Sequence, residues 1–512
     1  MSGHSVCHGC VAYTKLCCAT DPKAGSEPWT ALTACILPHS VLPSSGKVVY
    51  QVPALRVSSS MIKKEIVPMV QCLCQDVNPD VRATMCSQLD FVARGIGLET
   101  SRSAVLPELV ELAQDEAAGV RRAAVRALAA MAPLLSHEDG RTTLAPLLRK
   151  CCSQALASLD PLVLPCLARA LGALCRALAG NSHCNLMPDL VPQAEKSDLC
   201  LECRIACAFN MPAMAQFAGP SLFSDHLASL FSELCADPNP QVRAMMAAGF
   251  PEVQVCAGGA SLLRELLTLL RDSSLQVIQS GLLEQLPRCV EAVPWASLSH
   301  TERKETAGDL VQALLACEAT LVSSYKWRLH AQLLSQLATL PERLPPSVVQ
   351  PMLGPFLLSR VLTLRPLPCR LTAGYALLML LRSCPTLAQR IALVTRIDAV
   401  VKTSLLSELC RGQSCHHRML YVRLCELATQ IFSWSFFRTH FFSPLLSLAG
   451  DGVANIRLRL CSLLAPLKAC MQLPADSQLL AALEACVRRL MAAERDRDVM
   501  AALCHVSGLS VL

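Results

Sequence analysis

Aromatic residues are scarce in this chain, 4% of 512 positions, although apolar residues of all kinds reach 52%. Sandwiches and barrels draw on aromatic and β-branched side chains, so this composition excludes them and points to helices rich in Leu and Ala. Long apolar runs are missing too. Mean hydropathy is +0.39, yet no stretch approaches the roughly 18 residues that a bilayer crossing needs. Residues 371 to 381 are too few, and Arg169 and Arg176 interrupt residues 159 to 179. The first 20 residues lack an uninterrupted apolar segment of the secretory kind, so the expected compartment is intracellular.

Charge of one sign is not concentrated anywhere. Forty-six basic residues against 40 acidic ones leave a formal +6 spread along the chain, without the Lys/Arg run that phosphate backbones select. Met61-Ile62-Lys63-Lys64, the nearest approach, reads as one helical turn. Nucleic acid and membrane insertion are therefore not expected.

Catalytic signatures are lacking as well. The chain has no Gly-rich phosphate loop, no Gly-x-Ser-x-Gly elbow and no His-Glu-x-x-His, so neither an enzyme nor a cofactor site is expected. Cys7-x-x-Cys10, with His4, His8, Cys17 and Cys18 nearby, has the spacing of a zinc knuckle but no second half at a zinc-finger interval, and no metal is expected there. Cys415-His416-His417 reads as a loop. Most of the 29 cysteines fall one per helix at apolar positions such as Cys86, Cys175, Cys207, Cys425 and Cys461, where a reduced thiol acts as a small hydrophobe.

What the chain does have is a period. Glu65-Ile66-Val67-Pro68 through Asp76-Val77-Asn78-Pro79-Asp80-Val81-Arg82 aligns with Ala104-Val105-Leu106-Pro107 through Asp115-Glu116-Ala117-Ala118-Gly119-Val120-Arg121, with Pro, Asp, Val and Arg recurring after 39 residues. Asp, four residues, an aliphatic or Cys, then Arg returns at Asp198 with Arg204, at Asp237 with Arg243 and at Asp451 with Arg457. Asp160 is a degenerate mark between them. Asp272 and Glu494 are weaker echoes that have lost the Arg. Residues 61 to 512 leave room for about eleven units of a 40-residue helical repeat.

Each unit reads as two amphipathic helices. Val81, Met85, Leu89, Val92 and Ile96 follow Asp76 at helical spacing. Asn78-Pro79 and Asn239-Pro240 place a capping Asn before a Pro at the first helical position, and Gly95 and Gly97 end the second helix. A polar residue at one fixed place per repeat meets its counterpart in the next. Asp76, Arg82, Asp115, Arg121, Asp198, Arg204, Asp237, Arg243 and Asp451 are thus expected to form a structural ladder rather than an active site. The expected fold is all-α, a right-handed superhelical HEAT-repeat (armadillo-like) solenoid over residues 51 to 512, with residues 1 to 50 irregular and outside the repeat.

The stretch from Lys64 to Asp76, with Val81-Arg82, Arg94-Gly95-Ile96-Gly97 and Leu106-Pro107-Glu108-Leu109, resembles the protein phosphatase 4 regulatory subunit 4 family of HEAT-repeat proteins. More distantly it resembles the scaffold A subunit of protein phosphatase 2A. Cys207-Ala208-Phe209-Asn210-Met211-Pro212, Tyr325-Lys326-Trp327-Arg328, Ser435-Phe436-Phe437, Val453-Ala454-Asn455-Ile456-Arg457 and Leu473-Pro474-Ala475-Asp476 extend the likeness over about residues 60 to 505. Against that family the chain enters in mid-array and stops at Leu512, as a truncated or alternative form would.

The resemblance implies a non-catalytic subunit that holds a serine/threonine phosphatase catalytic subunit in the cytoplasm. A generic adaptor, transport-receptor-like or cytoskeletal, shares the period without that partner. Asn78, Asp80, Asn239, Trp327, Arg328 and Asn455 are expected along the row of turns where a partner docks, and Arg457 marks the C-terminal repeats as a second place for it. Trp327 fits either a wedge in its hairpin or an exposed anchor, because Trp and Arg dominate interface hot spots. Phe436, Phe437, Phe441 and Phe442 read as core.

Overall fold

The computed structural model describes residues 63–64, 67–178, 200–257, 262–383 and 409–508. Residues 1 to 50 and Asp198 lie outside the described residues. The chain divides into two compact units, Met1–Leu262 and Leu263–Leu512. Among the described residues every regular element is helical, and helices alternate between first and second members of a hairpin.

In unit 1 the elements are α1 (Val67–Cys74), α2 (Pro79–Cys86), α3 (Leu89–Ile96), α4 (Leu106–Leu112), α5 (Ala118–Met131), α6 (Ala145–Ser158), α7 (Val163–Leu178), α8 (Leu201–Leu222), α9 (Ala228–Cys235) and α10 (Pro240–Cys256). In unit 2 they are α11 (Leu263–Leu270), α12 (Leu275–Ile278), α13 (Leu282–Glu291), α14 (His300–Ser323), α15 (Trp327–Leu337), α16 (Pro346–Thr363), α17 (Leu367–Arg382), α18 (Cys415–Ile431), α19 (Ser443–Ser447), α20 (Ala454–Ala469), α21 (Ser477–Ala493) and α22 (Arg497–Gly508). Counting α2 with α3 and α12 with α13, the described residues contain eleven second helices.

Local chemistry accounts for the helix boundaries. Asn78 and Asn239 are N-caps in extended conformation whose side chains accept from the N–H groups of Asp80 and Gln241, and Pro79 and Pro240 follow at the first helical position. Gly97 ends the second helix of the first repeat at φ +83°, a conformation that a Cβ would strain. That helix is interrupted at Ser87-Gln88, so α2 and α3 are separate pieces. Several first helices are entered through a widened turn, at Ser101–Val105, Gly140–Leu144 and Arg438–Phe442, just before Pro107, Pro146 and Pro444. A ring without an N–H removes one bond from the ladder and crowds the preceding turn, and a π-type turn accommodates both effects.

Second helices stack on one another within each unit: α2 on α5, α5 on α7, α7 on α8 and α8 on α10, then α15 on α17, α17 on α18 and α18 on α20. Gly172 shows how close the stacking is. A Cβ there would come within 2.2 Å of the Asn210 side-chain oxygen. Buried Asn210 in turn donates to the carbonyls of Ala168 at 2.7 Å and Ala206 at 3.0 Å, sewing α8 to α7. The core between the layers is Leu, Ala, Val and Cys. Burial pushes the thiols of Cys74, Cys175, Cys207 and Cys317 up to about 12, so they remain protonated. Phe437, Phe441 and Phe442 are buried as well, while Phe436 is half-buried. The membrane question has a direct answer for the described residues, where no helix is long and apolar enough to cross a bilayer.

Candidate functional site

Each hairpin turn builds a small polar device. Asp76 Oδ1 accepts the N–H of Asn78 at 2.8 Å, which closes the turn. Six residues on, in the first turns of α2, Arg82 sends Nη1 back to the carbonyls of Asp76 and Val77 at 2.9 and 3.1 Å. Its Nε and Nη2 point onward and form a two-pronged bond to Asp115 of the next repeat, at 2.7 and 2.8 Å. Asp115 then closes its own turn by accepting from Ala117.

The same device recurs. Arg121 binds the carbonyls of Asp115 and Glu116 and reaches Asp160 at 2.5 Å. Arg204 reaches Asp237 at 2.9 Å, and Arg243 returns to the carbonyls of Asp237 and Pro238. In unit 2, Arg418 grips Asp451 at 2.5 and 3.1 Å, and Arg457 grips Glu494 at 2.6 and 2.7 Å. A planar guanidinium fork matched to a carboxylate makes each rung a charge-assisted pair of bonds.

Electrostatics follow from this geometry. Burial opposes ionisation of Asp115, Asp160 and Asp451, but the arginine bonds, the turn N–H groups and the neighbouring cations outweigh it and hold the carboxyls below their ordinary range. Glu494 is held down to about 2, mainly by its bonds to Arg457. Near neutral pH the rungs are therefore ion pairs.

The structure sorts the residues singled out from sequence. Asn78, Asp80, Tyr325, Lys326, Trp327, Arg328 and Asn455 are exposed, and Asn239 is half-buried. Asn78 and Asn239 serve as caps, Asp80 sits in the first turn of α2 and Asn455 in the first turn of α20. Trp327 opens α15 at 38% exposure, with the Arg328 guanidinium 4.5 Å above its ring. Arg457 has to be reassigned. Its Nε and Nη2 are bonded to Glu494 and its Nη1 to the Asp451 carbonyl, so it belongs to a rung and not to a free docking surface. Cys415-His416-His417 also differs from the loop expected, because the three residues form the first turn of α18.

Sequence reasoning passed over two groups. Arg418 lies outside the Asp-based shorthand because Gly412 stands where its turn should carry an Asp, yet it makes a full rung. The second group replaces the rungs in the middle of unit 2. Glu318, with no exposed surface, lies 2.8 Å from His330 Nε2 and accepts from Arg360 Nη2 at 2.7 Å. His330 stands six residues after Ser324, the place that Arg holds elsewhere. Among the described residues, no cluster of three or more His, Cys, Asp or Glu is placed to hold a metal ion. The Cys7–Cys10 segment lies outside the described residues.

Hairpins of paired helices, stacked at a 39-residue period and tied through their turns, define a HEAT-repeat protein. A family model described as HEAT repeats matches residues 66–159, and the fold of the described residues is of that class. Within it, the chain resembles serine/threonine-protein phosphatase 4 regulatory subunit 4. It is 35% identical to the Homo sapiens protein over 470 residues, which is 86% of this chain and 52% of the relative. The Mus musculus protein is 34% identical over the same span. The chain thus spans about half the length of the curated relatives it matches. Among solved structures, Kap121p bound to Ste12p is 13% identical with a TM-score of 0.46, covering 86% of this chain and 44% of that one. Importin beta is likewise 13% identical with a TM-score of 0.44, covering 93% of this chain and 61% of that one.

Proposed function

We propose that this chain is a non-catalytic regulatory or scaffold subunit that binds a serine/threonine protein phosphatase catalytic subunit, of the protein phosphatase 4 kind, in the cytoplasm. The observation that carries the reading is the similarity to phosphatase 4 regulatory subunit 4 across 470 residues, which takes in the turns as well as the helices. On this reading the rungs set the pitch of the array, the exposed turns present side chains to the partner, and the catalytic metals belong to that partner. Trp327 and Arg328 are the anchor: a half-exposed ring with a guanidinium stacked on it, both on the rigid start of a helix.

Affinity capture with the purified chain, followed by a phosphatase assay, tests the reading. Recovered serine/threonine phosphatase activity supports it. A small GTPase or tubulin in its place favours the adaptor reading instead. Replacing Trp327 and Arg328 together by Ala is expected to weaken capture by about 2 kcal/mol, roughly thirtyfold, with helix content unchanged. Undiminished capture by the folded variant removes Trp327 and Arg328 from the interface.

A further inference from the structure

The repeat whose second helix is α8 departs from the others at two places in one turn. Four residues before the rung arginine, Asn78 precedes Arg82 and Asn239 precedes Arg243, each as a helix cap; before Arg204 the cap is Cys200. One residue before the arginine, Val120, Val242 and Ile456 are buried aliphatics, and here Cys203 takes that place. Sulfur thus replaces an amide and a hydrocarbon within the same turn.

The two cysteines meet. Cys200 caps α8 in extended conformation, makes no side-chain capping bond and is exposed. Cys203 lies in the first turn at 2% exposure, and the two Sγ atoms are 3.3 Å apart. Residues three apart at a helix start have Cα atoms about 5 Å apart, inside the roughly 4.4 to 6.8 Å that a disulfide bridges. The spacing of the pair therefore suits a disulfide.

Their surroundings divide the labour between them. Burial, and after it the hydrogen bond from Cys200, pushes the Cys203 thiol up, so it stays protonated. The exposed Cys200 is the sulfur that a molecule in solution reaches first. The turn between them is tied down, because Glu202 accepts from Arg169 of α7 at 2.7 Å and Arg204 bonds Asp237 at 2.9 Å. Among the described residues no three His, Cys, Asp or Glu are placed to hold a metal ion, and Cys207, one turn further on and buried, does not join the pair in such a group.

We propose that Cys200 and Cys203 form a reversible thiol–disulfide exchange site whose substrate is a small-molecule disulfide of the oxidised glutathione kind. The Cys200 thiolate attacks one sulfur of the substrate, whose S–S bond breaks and releases one glutathione thiolate, leaving a mixed disulfide on Cys200. Cys203 then attacks Sγ of Cys200, its proton passing to the second glutathione thiolate as that leaves. Two protein thiols are oxidised to one disulfide, and one oxidised glutathione is reduced to two thiols. Reduced glutathione in excess runs the same steps backwards. The site stands on unit 1 alone and does not require the chain to bind a phosphatase.

The test incubates the full chain with oxidised glutathione, blocks remaining thiols by alkylation and maps every cysteine by peptide mass spectrometry. A disulfide joining Cys200 to Cys203 is expected, reversed by reduced glutathione. Cys203→Val and Cys200→Asn install the residues that Val242 and Asn239 supply in another repeat, so both variants should keep the parent's melting temperature. In Cys203→Val the mixed disulfide at Cys200 should rise about tenfold or more, since nothing resolves it; in Cys200→Asn, Cys203 should remain a free thiol. Cys200 still free under conditions that modify exposed Cys72 and Cys470 overturns the proposal. So does a glutathione adduct that persists at Cys200 in the parent chain, or a disulfide from Cys200 to any other cysteine. Glutathione on Cys203 in the Cys200→Asn variant overturns the order of the two steps. The parent chain decides the first three outcomes by itself, whether or not either variant folds.

Discussion

Removing one arginine from a filled rung measures what the ladder contributes. Arg82 and Asp115 have side chains only 11% and 10% exposed and share two bonds of 2.7 and 2.8 Å. Arg82→Met keeps the apolar stem but strands the Asp115 carboxylate. That carboxylate retains the N–H of Ala117, and water has some access, so the cost falls at or below the low end of the range for broken buried pairs, about 3 kcal/mol. Asp115→Leu strands the guanidinium, which keeps its two bonds to the carbonyls of Asp76 and Val77, and about 2 kcal/mol is expected. The double variant leaves neither charge unpaired and should lie within about 1 kcal/mol of the parent.

The cycle therefore closes with a coupling of about 4 to 6 kcal/mol, far above the few tenths that separate independent sites. Because repeats are coupled mainly to their neighbours, the loss should be local. Native-state hydrogen exchange should show α1 to α3 opening more readily while α14 to α17 keep their protection. Additive single effects, or an Arg82→Met change below about 0.5 kcal/mol, would refute the view that these pairs hold one repeat to the next.

The depressed carboxyls make stability depend on pH in one direction. Asp115, Asp160, Asp451 and Glu494 have folded pKa values below their ordinary ones, so their contribution is complete above the ordinary values of 3.8 and 4.5 and is lost as pH falls through the folded values, near 2 for Glu494. For Glu494, allowing for solvent screening, about 1 to 2 kcal/mol should disappear over that window, and Glu494→Gln should flatten the acid limb of a denaturation series for α20 to α22. Gly172→Ala should destabilise unit 1 by about 2 kcal/mol or more, since its Cβ would meet the Asn210 oxygen at 2.2 Å; adding Asn210→Ala should recover part of the loss, and thermal melts of both variants check it. Glu318→Ala removes the acceptor shared by His330 and Arg360. It is expected to cost about 3 kcal/mol, readable as faster exchange in α15 and α16, and unchanged exchange would count against a structural role for the trio.

Much of the architecture was legible before any coordinates. The 39-residue recurrence, the Asn-Pro starts at Asn78-Pro79 and Asn239-Pro240 and the Gly97 stop are local signals, because caps and apolar periods are decided within a few residues by backbone hydrogen bonding and rotamer space. They were enough to give an all-helical repeat. The fixed Asp and Arg also announced a ladder in which each repeat meets the next. Only the tertiary structure decides which guanidinium atoms return to their own turn and which reach onward, that Asp160 and Glu494 serve as rungs despite imperfect motifs, and that Arg457 is occupied.

Which side chains meet between repeats depends on how closely second helices stack, and that is set by contacts such as Gly172 against Asn210, brought together across 38 residues. Sequence periodicity determines that neighbouring repeats share an interface; packing in three dimensions determines which charges in that interface find partners.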